Sequence, residues 1–243
     1  MSFITTDGLV LRDTKLNDKD SLLTVLTRDY GKLTLKAWGV RGKSGKLRAP
    51  CQLFAYSEFT ASEYRGYYSI KEAELKEQFG GIRSDIELLS LASYIAQVTE
   101  SVADEDSPTP ELLSLALNSL YALSELKKPQ MLVKAAFELK LMSIEGYEPQ
   151  LDGCVGCDSA EPVWFNLTDG ALYCADCGGT GVEINDRCFA AMRHIVLGDS
   201  KRIFSFSLDE ASLKLLAQAA EGYILTQLER GFSALDFYKT IMI

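Results

Sequence analysis

Hydrophobic positions along this chain change period once, near residue 80. Before that point they alternate. Leu33, Leu35 and Ala37 interleave with Thr34 and Lys36, the two-residue period of a half-buried strand. Apolar runs at residues 8–11 and 21–26 and aromatic stretches at 53–64 and 67–75 give four more segments of the same kind. Asp29-Tyr30-Gly31-Lys32 and Arg65-Gly66 are turn signals between them. Five strands with no helical period, packed into about 75 residues, predict a small closed β-barrel of the oligonucleotide-binding (OB) type.

Beyond residue 80 the period becomes helical. Leu88, Leu91, Ile95, Val98 and Val102 follow a capping box, Ser84-Asp85-Ile86-Glu87. Thr109-Pro110 opens a second helix, with Leu113, Ala116, Leu120 and Leu123 on its apolar face. Leu132, Ala135, Leu139 and Met142 mark a third, stopped at Gly146. Residues 187–197 form a fourth, and Ser207-Leu208-Asp209-Glu210 caps a fifth that ends near Gly231. These stripes predict a helical core, since an amphipathic helix in a folded domain faces its own interior first.

Between the third and fourth helices stands a different signal. Cys154-Val-Gly-Cys157 and Cys174-Ala-Asp-Cys177 are separated by 16 residues. Two C-x2-C turns at this distance, joined by a strand-turn-strand segment (residues 163–173), predict one structural Zn2+ ion in a ribbon. Each turn aims two thiolates at one point, and the hairpin brings the turns together. Four thiolates fill a tetrahedral ion and leave it no open position for chemistry. Cys51 and Cys188 lie outside the pattern and read as small buried residues. The predicted fold is therefore α+β in three parts. These are an OB-type barrel (1–80), an α-helical domain (81–149 and 182–243) and an inserted zinc ribbon (150–181).

Composition excludes little, but the charge distribution matters. The net charge is −9, yet residues 1–50 balance at +5 and residues 81–243 at −12. Local potential decides where an anion docks, so the basic head is the candidate surface. Arg41, Lys43, Lys46 and Arg48 share one glycine-rich loop, with Lys36 just before it. Tyr30, Trp38, Tyr67 and Tyr68 are candidate stacking faces for bases. Five neutralised phosphates would give a single-strand salt slope near −3.5, from about −0.7 per contact. Gly42-Lys43-Ser44 is no phosphate loop, because Ala37 stands where that motif needs glycine and Pro50 forbids the helix. Asp152, Asp158, Asp169 and Asp176 crowd the cysteines, making the ribbon the less suitable half to meet phosphates. Catalysis finds little footing. His194 is the one histidine, and the nearest carboxylate pair, Asp18 and Asp20, reads as turn residues. The longest uncharged stretch, residues 112–124, is too short to span a bilayer. The first residues lack the basic and apolar regions of a secretory signal, so a cytoplasmic protein with reduced cysteines is expected.

Several local matches resemble one family. They are Asp7-Gly8-Leu9-Val10-Leu11, the segment from Leu26 to Leu33, Gly39 to Ser44 running on to Leu47-Arg48-Ala49-Pro50, Phe137 to Leu141, Gly146 to Leu151, and Gly170-Ala171-Leu172-Tyr173-Cys174. In this order they resemble the RecO family of bacterial recombination mediators. The resemblance implies an N-terminal OB barrel, a helical body and a four-cysteine zinc ribbon. It implies binding to single- and double-stranded DNA and annealing of complementary strands. It also implies partnership with RecR, often with RecF, in loading RecA onto DNA coated by the single-stranded-DNA-binding protein, whose acidic C-terminal tail such proteins bind. Such proteins are cytoplasmic, associated with the nucleoid, and not enzymes. The alternative from the residues alone is an acidic, zinc-containing adaptor between proteins that touches no DNA.

Overall fold

Strand-forming residues in the first third of the chain produce β1 (Ser2–Lys15), β2 (Ser21–Thr27), β3 (Lys32–Ala37), β4 (Ala55–Tyr64) and β5 (Tyr67–Gln78) in the computed structural model. The structure describes residues 2–42 and 45–242. Lys43, one of the basic residues singled out above, lies outside them. The five strands close into a barrel of order β1-β2-β3-β5-β4. β1 is longer than its apolar run because it serves two neighbours. Its first half pairs antiparallel with β4, its second half with β2, and a bulge between Val10 and Arg12 bends it. Parallel pairing of Leu35 with Tyr68 and of Lys36 with Ser69 closes the cylinder. β4 starts at Ala55 rather than Leu53, because Phe54 turns the chain at φ +64°. β3 ends at Ala37, which leaves Trp38 in a turn.

Inward positions fill the barrel with Val10, Leu23, Val25, Leu35, Phe59 and Ile70. Burying a side chain of this size stabilises the fold by about 1.5–3 kcal/mol. Cys51 joins the same cluster.

The helices are α1 (Gly80–Arg83), α2 (Ile86–Val102), α3 (Pro110–Ser124), α4 (Gln130–Ile144), α5 (Asp186–Leu197), α6 (Glu210–Gln227) and α7 (Ser233–Ile241). Two caps differ from the sequence reading. Asp85, not Ser84, caps α2 by accepting from the backbone N–H of Glu87 and Leu88 at 2.8 and 3.2 Å. Asp209, not Ser207, caps α6 and accepts from the N–H of Ser212 at 3.0 Å. A carboxylate competes well for this position because its bonds are charge-assisted and it faces the positive end of the helix dipole. The short α1 and the terminal α7 were not expected from periodicity. Leu235 and Tyr238 of α7, with Phe232 before it, are buried.

Contacts divide the chain into two compact units, residues 1–120 and 121–243. In the first, α2 is tied to the barrel. The Arg12 guanidinium meets the Glu100 carboxylate at 2.7 Å, and Lys32 donates from its side chain to the Glu100 carbonyl at 3.0 Å. The second contains a four-stranded sheet of order β6-β8-β7-β9, formed by β6 (Gln150–Cys154), β7 (Trp164–Asn166), β8 (Ala171–Tyr173) and β9 (Val182–Glu183). The sequence suggested only the β7–β8 hairpin. β6 pairs parallel to β8, and β9 is two residues long, so neither carries a periodic signal of its own. The sheet leans on α6. Phe165 meets Tyr223 edge-to-face at 5.2 Å between ring centroids, and Gln227 donates to the carbonyls of Leu167 and Thr168 at 2.8 and 3.0 Å. The ribbon thus shares a core with the helices and does not depend on a metal alone for its packing. No helix among the described residues is long and apolar enough to cross a membrane.

Candidate metal centre and nucleic-acid interface

Each C-x2-C pair sits on a tight turn beside the end of a strand. Cys154 closes β6, and the backbone N–H groups of Cys157 and Asp158 fold back to its carbonyl at 3.4 and 2.8 Å. Cys174 follows β8, and its sulfur accepts from the backbone N–H of Cys177 at 3.5 Å. Gly156 is required in the first turn by space. A Cβ there would lie 2.9 Å from the Cys177 sulfur, so any larger residue would push the two turns apart. The four sulfurs all lie within 4.8 Å of one another, and those of Cys157 and Cys174 are 3.6 Å apart. A tetrahedral ion with metal–sulfur bonds of about 2.3 Å needs sulfurs about 3.8 Å apart. The donor set therefore fits a metal ion. All six cysteines are free thiols.

Electrostatics point the same way. The backbone N–H of Cys174, helped by those of Gly156 and Cys157, brings the Cys154 thiol down to about 6. The bond to Cys157 and the other nearby sulfurs push Cys177 up to about 12. Crowded thiols cannot all ionise beside one another, whereas a divalent cation among them favours the thiolate at every position. Cys51 and Cys188 stand apart. Both are buried, and burial pushes each thiol up to about 12.

On the barrel, the predicted residues fall into distinct environments. Lys36 points outward from β3, its ammonium 5.3 Å from the centre of the Tyr67 ring. Trp38 is exposed just past β3. Tyr30 is half-buried and packs against the barrel core, as does Tyr68. Lys46 and Arg48 are exposed and, among the described residues, have no carboxylate partner. Arg41 has one. Its guanidinium reaches both oxygens of Asp13 at 3.0 Å, and its Nε donates to the Ser21 hydroxyl at 2.8 Å. The backbone is anchored beside it. The Arg41 N–H donates to the Lys19 carbonyl at 3.0 Å, and the Gly39 N–H to Asp20 at 2.7 Å. Asp20 is held below the usual carboxylate range, first by that Gly39 N–H and then by Asn17. Asp18 pairs with Lys15 at 2.7 Å. Both aspartates thus serve the β1–β2 turn, as their sequence context implied.

In sequence, Tyr64 and Arg65 signal no more than a strand end and a turn. Tyr64 and Tyr67 are directly paired across the β4–β5 hairpin and are 57% and 67% exposed. Alternation holds the signal: Ile70 and Tyr68 face inward, so Tyr67 must face out.

Two family models match this chain: "Recombination protein O N terminal" over residues 1–79 and "Recombination protein O C terminal" over residues 83–236. Among curated proteins it is similar to the "DNA repair protein RecO" of Acetivibrio thermocellus, at 29% identity over 99% of this chain and 98% of that protein. The protein of the same name from Alkaliphilus metalliredigens is 31% identical over 98% of this chain and 99% of its own length. That from Caldanaerobacter subterraneus is 28% identical over 98% of each. With both halves matched in order over nearly the full length, the chain belongs to the RecO family.

Proposed function

We propose that this protein is a DNA repair and recombination mediator that binds DNA through its N-terminal barrel. The observation that carries the reading is the family match over both units of the chain. The barrel supports it: five strands with order β1-β2-β3-β5-β4 and a parallel β3–β5 closure suit the OB type. Lys36, Lys46 and Arg48 supply phosphate contacts, with Lys43 from the same loop, and Trp38 offers a stacking face. Arg41 serves that surface indirectly. Its charge is balanced by Asp13, so it holds the loop in place and adds little to the field a phosphate meets. Tyr30 acts mainly as packing beneath the same surface.

In this reading the protein binds single and double strands and anneals complementary ones. RecR, with RecF, acts with it in placing RecA on DNA coated by the single-stranded-DNA-binding protein, through that protein's acidic tail. One Zn2+ held by Cys154, Cys157, Cys174 and Cys177 fixes the ribbon and takes no part in chemistry. Annealing of two complementary labelled oligonucleotides, with and without the coating protein, tests the function. Acceleration in both conditions is expected, and a rate equal to the spontaneous one contradicts it. The −12 balance of residues 81–243 favours a second reading, an acidic adaptor between proteins. A low-salt gel-shift titration separates the two, since the adaptor leaves DNA unshifted.

A further inference from the structure

The outer face of the barrel near the β4–β5 turn carries an unusual set of side chains. Phe3 of β1 pairs with Ser62 of β4, Ser62 with Ser69 of β5, and Ser69 with Lys36 of β3. Two pairs further along the hairpin, and so on the same face, Tyr64 stands opposite Tyr67. Paired residues share a face, so Phe3, Tyr64, Tyr67 and Lys36 all project from the same side, separated by two small serines. Phe3 is 63% exposed, and the two tyrosines are open to a similar degree. A cation lies against each tyrosine ring: Lys36 at 5.3 Å from Tyr67 and Arg65 at 5.3 Å from Tyr64.

Hairpin stability alone does not call for this arrangement. Arg65 and Gly66 both adopt positive φ, the two-residue turn that matches strand twist. The Glu63 carboxylate further secures the turn by accepting from the Gly66 N–H at 2.9 Å and the Ser2 hydroxyl at 2.6 Å. With the turn already specified, the exposed rings are free for another role. Rings in water beside fixed cations are the chemistry that takes unpaired bases: the π-face stacks on a base, and the cation meets the adjoining phosphate. A duplex cannot use such a face, because its bases are already stacked on one another.

We propose that the hairpin tip, through Tyr64 and Tyr67 with Lys36 and Arg65, is a stacking site for unpaired bases. It gives the barrel its preference for single strands, separately from the β3–β4 loop, which meets phosphates of either form. The inference rests on the DNA-binding reading above. The test uses the full-length protein and an oligothymidylate carrying one 2-aminopurine, whose fluorescence changes on stacking, alongside a labelled duplex. Tyr64→Leu with Tyr67→Leu should weaken single-strand binding by at least about fivefold for each ring. The fluorescence change should disappear, while duplex affinity and salt slope stay within twofold and within error. Tyr64→Phe with Tyr67→Phe keeps the π-faces and should bind like the wild type, which guards against a folding artefact. Lys46→Ala with Arg48→Ala should weaken both forms and flatten the slope. Single-strand affinity within twofold of wild type in the leucine variant overturns the proposal, and so does an equal loss for duplex. If the wild type binds neither form, the DNA-binding reading itself fails and takes this site with it.

Discussion

Lys134 offers the sharpest energetic test of how the second unit is held together. It lies in α4 with its side chain 5% exposed, and its ammonium meets Glu138 one turn on and Glu221 of α6, each at 2.8 Å. Glu221 also receives Lys239 from α7. Burial pulls the Lys134 pKa down, but Glu138 and Glu221 outweigh it, and the net shift is upward. The group therefore stays charged in the fold. Lys134→Met keeps the stem and removes the cation that Glu221 and the fully buried Glu138 share. Breaking a buried pair in this way costs about 3–5 kcal/mol, a large part of a typical total of about 5–15 kcal/mol. Urea unfolding followed by circular dichroism at pH 8 reads it directly. Adding Glu138→Leu should recover most of the loss. The wild type carries a further signature. A lysine with a raised folded pKa contributes stability that is complete below its unfolded value and is lost as pH rises through the folded one. Alkaline destabilisation should therefore be weaker in the variant. A variant within about 1 kcal/mol of wild type at pH 8 would refute the reasoning, because the expected penalty for breaking a buried ion pair starts near 3 kcal/mol.

Metal content should be one zinc per chain by elemental analysis. Its removal by a chelator should lower the melting temperature while most helical ellipticity remains, because Phe165 and Gln227 tie the ribbon to α6; an unchanged melting temperature would remove the structural role. A thiol reagent should modify four cysteines after chelation and reach Cys51 and Cys188 only on unfolding, since both are buried with thiols pushed up to about 12; six fast-reacting thiols in the folded protein would contradict that burial. The Ser212 N–H, the Ser212 hydroxyl and Arg187 hold the Asp209 carboxyl well below the usual range. Its contribution should be complete above the unfolded value of about 3.9 and be lost as pH falls through the folded one. Asp209→Asn should thus be less stable at pH 7, with the gap closing in acid. A gap independent of pH would mean that the charge has no part in the cap.

Much of this architecture is legible in residues that act locally. Leu33, Leu35 and Ala37 alternate because one face of β3 meets the barrel interior, and the two C-x2-C turns announce themselves by spacing. What escapes is set by pairing over distance. Nothing near Phe3 says that it will stand beside Ser62, because that register depends on closing the whole barrel. Arg41 looks like a free cation in a basic loop until Asp13, on another strand, is brought to it. Lys134 and Glu138 resemble an ordinary solvent-facing pair one turn apart, flanking the stripe of Leu132, Ala135, Leu139 and Met142. The packing of α4 among its neighbours buries that face as well. Caps were misplaced by one or two residues because serine and aspartate both suit the position, and only the fold decides between them.

The salt dependence of single-strand binding tests the central claim most directly. Four phosphate contacts from Lys36, Lys43, Lys46 and Arg48, with a fifth from Arg65 at the hairpin tip, predict that log affinity falls with log salt at a slope near −3.5, at about −0.7 per contact. Arg41→Ala should leave that slope unchanged, because Asp13 already balances the charge. Lys46→Ala with Arg48→Ala should make it shallower by about 1.4. A wild-type slope near zero, or a slope that responds to Arg41 and ignores Lys46 and Arg48, would contradict the account.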